Sequence, residues 1–103
     1  MATPSKVGSF PQKRVLFVGR KGEDVAERQR MLNVLKETGN PLGQSNLADI
    51  AEDGIFGSKT AMRIKEFQAR NRLYVDGVIG PKTDAAMNAI WFDFLRKIPN
   101  LPE

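Results

Sequence analysis

The chain has 103 residues, room for one domain with its own core. Hydrophobic residues make up 41% and charged residues 27%, with no cysteine and no histidine. That excludes disulfides, thiolate or imidazole metal sites, and every nucleophile pair built on Cys or His. The formal net charge of +4 is uneven, with five basic and no acidic residues over 1–22, a net −4 over 23–57 and a net +3 over 58–103, which suits a polyanionic or carboxylate-bearing partner.

Residues 1–15, with Pro4, Gly8 and Pro11 among small polar residues, read as a flexible basic lead-in. Lys13 to Val18 reads as a short N-terminal strand. Its apolar run, Val15 to Val18, is too short for a signal-peptide core of ~7–15 residues or a membrane helix of ~20. Gly19 and Gly22 break the chain, and Asp24, with Glu27 three positions on, reads as the N-cap of a first helix. Its apolar stripe is Val25, Leu32 and Leu35 with Met31 alongside, while Arg28 and Gln29 fall in the gap. Gly39-Asn40-Pro41 stops it. Residues 40–53 read as a long loop with one short helical turn from Asn46 to Ala51.

The octet Asp53-Gly54-Ile55-Phe56-Gly57-Ser58-Lys59-Thr60 then opens a second helix, which ends near Arg70-Asn71. Ala61, Ile64 and Phe67/Gln68 share one face, with Lys59, Arg63, Glu66 and Arg70 on the others. The octet returns 23 residues later as Asp76-Gly77-Val78-Ile79-Gly80-Pro81-Lys82-Thr83. It opens a third helix running to about Ile98, striped with Met87, Ile90/Trp91, Phe94 and Ile98. Residues 99–103 are a tail. The doubled octet is an internal repeat with a physical logic. Asp-Gly makes a tight turn, the next two apolar residues point into the core or pair as a short ladder, and the second glycine turns the backbone into the helix. Pro81 suits the first helical position, and Thr60 and Thr83 lie where a hydroxyl meets an unpaired helix-end group. The expected fold is all-α, a compact three-helix bundle built on two Asp-Gly helix starts.

With Phe67-Gln68 between the octets and Leu73-Tyr74-Val75 leading into the second, residues 16–91 resemble the type 1 peptidoglycan-binding domain family. Three places depart from the family pattern: Arg28 stands where the family usually has Leu, which puts a long cation at the edge of the first-helix seam to snorkel, Asn40–Glu52 is longer than the common connection, and Arg72 replaces a frequent Gly. The resemblance implies a three-helix domain over 16–98 that attaches without catalysis, cofactor or metal to bacterial peptidoglycan. Such domains anchor a wall hydrolase, endolysin or phage part, and a related fold serves as the pro-segment of some metalloproteases. This chain would then act at the wall or periplasm, delivered by a phage, a secretion system or a larger protein, with no membrane segment of its own.

The candidate groove lies between the second helix and its flanking loops, with Phe56, Arg63, Gln68, Asn71 and Tyr74 facing the wall. Each has a structural reading beside it. Gln29 and Gln68 bond either a muropeptide amide or loop backbone within the domain, and Phe56 lines a groove or fills the core with Ile79. Tyr74 stacks on a sugar or is a plain surface aromatic, and Arg63, Arg70 and Arg72 hold carboxylates or form a solvated face. Asp53 and Asp76 are turn formers in preference to an acid/base pair. Trp91, Phe92, Phe94 and Leu95 exceed one stripe, which leaves Phe92 exposed. The alternative function is an interaction domain docking to a partner protein in a phage tail or secretion assembly, with the basic arm Lys6–Lys21 as the tether. Nucleic acid ranks last, because about ten residues separate the last two helices where a helix-turn-helix uses ~3–4.

Overall fold

The structure, a computed structural model, describes residues 14–38 and 42–97. Residues 1–13, the Gly39-Asn40-Pro41 stop, Ile98 and the 99–103 tail lie outside them. Three helices account for the regular structure: α1 Glu23–Lys36, α2 Ser58–Arg70 and α3 Pro81–Arg96. Each stripe expected from the sequence turns inward. Val25, Leu32 and Leu35 of α1, Ile64 and Phe67 of α2, and Met87 and Ile90 of α3 meet Leu16, Ile50, Phe56 and Ile79 from the connections. Burying each such side chain stabilises the fold by roughly 1.5–3 kcal/mol. Trp91 and Phe94 close one end, ring centroids 5.5 Å apart. Phe92 is half-buried like Trp91, Phe94 and Leu95, so the surplus apolar surface is shared along α3.

Four sequence expectations are corrected. No strand forms among the described residues. Leu16 pairs antiparallel with Ile79 and Lys21 with Ile55, each as an isolated bridge, because the chain turns at Gly19 (φ 107°) and Gly22 (φ 148°). The N-cap of α1 is Gly22, not Asp24. Both Asp24 oxygens are taken by the Arg14 fork (Nε–Oδ2 2.9 Å, Nη2–Oδ1 3.0 Å), whose hydrogen bond holds the carboxyl below its usual range. Asn46–Ala51 contains no helical turn. Its backbone is committed outward instead, Asn46 N–H to Glu66 and both polar groups of Ile50 to the Asn33 side chain.

The fourth correction concerns Arg28, which does not snorkel at an edge. It is 6% exposed and donates from Nε (2.8 Å) and Nη2 to Asp84 Oδ1, itself 4% exposed, so a buried ion pair joins α1 to α3. Arg72 takes a φ of 58°, the left-handed region, at the position where the resemblance expects glycine.

Candidate functional site

The two octets take matching geometry. Gly54 and Gly77 have φ of 77° and 75°, values that favour glycine. A Cβ on Gly54 would also sit 2.9 Å from the Gly22 carbonyl. Asp53 Oδ1 accepts Ile55 N–H (3.0 Å) and Asp76 Oδ1 accepts Val78 N–H (2.9 Å), closing the Asx turns. The Val78 N–H bond, with one from Gln68, holds the Asp76 carboxyl below its usual range. Phe56 and Ile79 enter the core, whereas Ile55 stays exposed and Val78 half-buried. Gly57 and Gly80 are extended N-caps of α2 and α3, and Pro81 takes the first turn of α3.

A buried glutamine from the preceding helix holds each octet. Gln29 of α1 donates to Ile55 O (2.9 Å) and Thr60 Oγ1 (3.0 Å) and accepts Gly54 N–H (2.9 Å). Gln68 of α2 donates to Asp76 Oδ1 (2.9 Å), Val78 O (2.9 Å) and Thr83 Oγ1 (3.0 Å) and accepts the N–H of Asp76 and Gly77. Thr60 and Thr83, 4% and 5% exposed, therefore meet a glutamine amide and not a helix-end group. The segment before α1 crosses both octets. Leu16 exchanges two backbone bonds with Ile79, Phe56 bonds Gly19 and Arg20, and Gly22 bonds Gly54.

This frame fixes two adjoining depressions. One, of about 210 Å³, runs between Leu47, Ala48, Asp49 and Ile50 on the loop and Lys59, Met62 and Arg63 on α2. The other, of about 260 Å³, continues past Ile50 and Lys59 to Asp53, Ile55 and the start of α2. Positions 59, 62 and 63 fall on one helix face. The loop wall is tied at both ends, by Asn46 N–H to Glu66 Oε2 (2.9 Å) and by Asn33 to Ile50. Asp49 reaches Lys36 (2.9 Å), while Lys59 is exposed and makes no ion pair among the described residues. Met62 is exposed. A third depression, lined by Asn33, Val34, Glu37, Thr38, Asp49 and Phe94, lies across α1 and α3.

The five candidate ligand residues do not form one surface. Phe56 and Gln68 are each 1% exposed and committed to the interior. Arg63, read as an outer-face residue, is 2% exposed, and its guanidinium donates to Leu32 O (2.7 Å) and Asn33 Oδ1 (3.3 Å) across to α1. Burial pushes it below the usual arginine range, against the pull of Glu66 and Asp49. Asn71 is half-buried and bonds Leu42 O (3.1 Å) and Phe67 O (2.9 Å), tying the end of α2 to the loop. Tyr74 is 84% exposed. The groove residues Leu47, Ile50, Lys59 and Met62 were not singled out as ligand-facing in the sequence. The 59/62/63 spacing was a usable signal for them, but which wall faced them was not readable.

The "Putative peptidoglycan binding domain" family pattern matches residues 21–87, spanning both octets, both glutamines and all of α1 and α2. The chain belongs to this family. Among solved structures it is similar to the N-terminal domain of SleB, with 28% identity, a TM-score of 0.62, and coverage of 79% of this chain and 97% of that one. No curated protein matches it. The peptidoglycan-binding fold is therefore the frame for the two glutamine-stapled turns and the groove beside α2. Among the described residues no helix is long and apolar enough to cross a membrane.

Proposed function

We propose that this peptidoglycan-binding domain is a non-catalytic anchor that holds an associated wall-lytic enzyme, or a phage or secretion component, against the cell wall. The observation that carries the reading is the family match over residues 21–87, which includes the whole stapled frame. An anchor needs only a weak contact to a repeating polymer, because tethering raises the effective concentration of whatever it carries. The groove along Leu47–Ile50 and α2 is open, rigidly framed and lined by apolar walls with a cation, as a shallow polymer contact requires. Tyr74, exposed in the α2–α3 connection, supplies a ring for a sugar face. Asp53 and Asp76 serve as turn formers in this reading, since both oxygens named above are spent on backbone and glutamine.

Sedimentation with purified, protein-free sacculi tests this. The chain is expected in the pellet at low and moderate salt, without release of soluble muropeptides. A chain left wholly in the supernatant, or one that releases fragments, sinks the proposal.

A further inference from the structure

We propose that the groove between loop residues Leu47–Ile50 and the Lys59–Met62–Arg63 face of α2 is a subsite for the free carboxylate end of a short peptide with small side chains. The proposal deepens the wall-binding reading and rests on it, since peptidoglycan stem peptides offer such ends.

Four observations converge on this class of ligand. First, the groove is a slot of about 210 Å³, the size of a few small residues, with Leu47, Ala48, Ile50 and Met62 as apolar walls. Second, Lys59 stands on its rim, exposed and without an ion pair among the described residues. Third, Arg63 lines the slot while 98% hidden from solvent (2% exposed), and its Nε is buried without a hydrogen-bond partner. The carboxylate nearest that nitrogen, Glu66, stands 3.8 Å away and is divided with Arg70 and Asn46 N–H. A buried guanidinium this weakly compensated favours a further anion beside it. Fourth, the acid in the lining, Asp49, is already engaged by Lys36 at 2.9 Å, which leaves the slot's cations in excess. Small methyl side chains fill the apolar part and the terminal carboxylate meets Lys59 on the rim, with the positive charge of the buried Arg63 guanidinium behind the slot wall. Bulky side chains are refused because Asn33 and Glu66 pin the loop wall at both ends.

The test titrates N-acetyl-D-alanyl-D-alanine, and separately its C-terminal amide, into the full chain while backbone amide shifts are followed by NMR. Saturable shifts are expected at Ile50, Lys59 and Met62 with the acid, and binding at least about tenfold weaker with the amide. Lys59→Gln is expected to weaken the acid about tenfold and leave the amide unchanged. Ala48→Glu, at an exposed wall position, is expected to abolish acid binding without altering the melting point. No shifts in the groove, or equal shifts from acid and amide, overturn the subsite. Sacculus sedimentation separates the two readings. Retention on sacculi without groove shifts rejects this subsite alone, whereas groove shifts without retention keep the subsite and reject the wall anchor.

Discussion

Gln68 shows how one side chain carries a turn. It is 1% exposed, its amide nitrogen shares two N–H donors among three acceptors of the octet that launches α3, and its oxygen accepts two backbone N–H groups. Gln68→Glu keeps the acceptor for the Asp76 and Gly77 N–H groups but puts a second oxygen against Asp76 Oδ1 and Val78 O, with the Thr83 hydroxyl as its one donor among the groups Gln68 Nε2 meets. The expected loss at pH 7 is about 3–5 kcal/mol by urea denaturation, because a buried charge is left facing acceptors. The new carboxyl regains a donor when protonated, so its folded pKa is raised and the lost stability returns as pH falls from 7 towards 5. A loss that ignores pH would show that the amide donor is not what matters. The sequence allowed two roles for this residue because a glutamine beside an apolar stripe suits a ligand or a loop equally. Arg63 shows the opposite difficulty. It shares the 60–64–67 face by spacing, but its charge argued for solvent, and its partners Leu32 O and Asn33 lie on another helix, out of reach of any local pattern.

The elements were legible where the cause is local. Helical stripes and the Asp-Gly-to-helix turn depend on neighbours within eight residues, and α2 begins and ends where those cues stand. The Asp24 cap and the Asn46–Ala51 turn failed because Arg14, Glu66 and Asn33 take those carboxylate or backbone groups from a distance, and the strand stops at the single Leu16–Ile79 bridge because the chain turns at Gly19. The α1–α3 joint is the strongest case of such distance, since Arg28 and Asp84 are 56 residues apart in sequence. Arg28→Leu restores the residue expected from the family resemblance but strands a buried carboxylate whose remaining side-chain donor among the described residues is Asn88 Nδ2 at 3.3 Å. It is expected to cost about 3–5 kcal/mol, while the double change Arg28→Leu with Asp84→Leu is expected within about 1–2 kcal/mol of the parent or above it. A loss in the double variant equal to the sum of the losses in Arg28→Leu and Asp84→Leu alone, measured by thermal melts, would show that the pair is not coupled.

At the scale of the whole molecule, the missing histidine sets the response to pH. No side chain here has an unperturbed pKa between 5 and 8, so the charge of folded and unfolded chains changes in step across that window. The carboxylates that fold differently from the free chain lie lower. Asp24 is held down by the Arg14 fork, Asp76 by Val78 N–H and Gln68, and Asp93 by Lys97 with Arg96. Because their folded pKa values fall below the unfolded value of about 3.9, the stability they contribute is complete above that pH and is lost as pH drops through the folded values. The melting midpoint is therefore expected to vary by less than about 3 °C from pH 5.5 to 8 and to fall steeply below about pH 4. The Asp76 contribution is tied to the α3 turn and the Asp24 contribution to the segment that stitches both octets. Acid should thus loosen the frame around the turns before the α1–α3 core, with amide exchange at Val78 and Val25 accelerating first. A midpoint that moves steadily between pH 6 and 8 would mean that some other group, not these carboxylates, governs the stability of the domain.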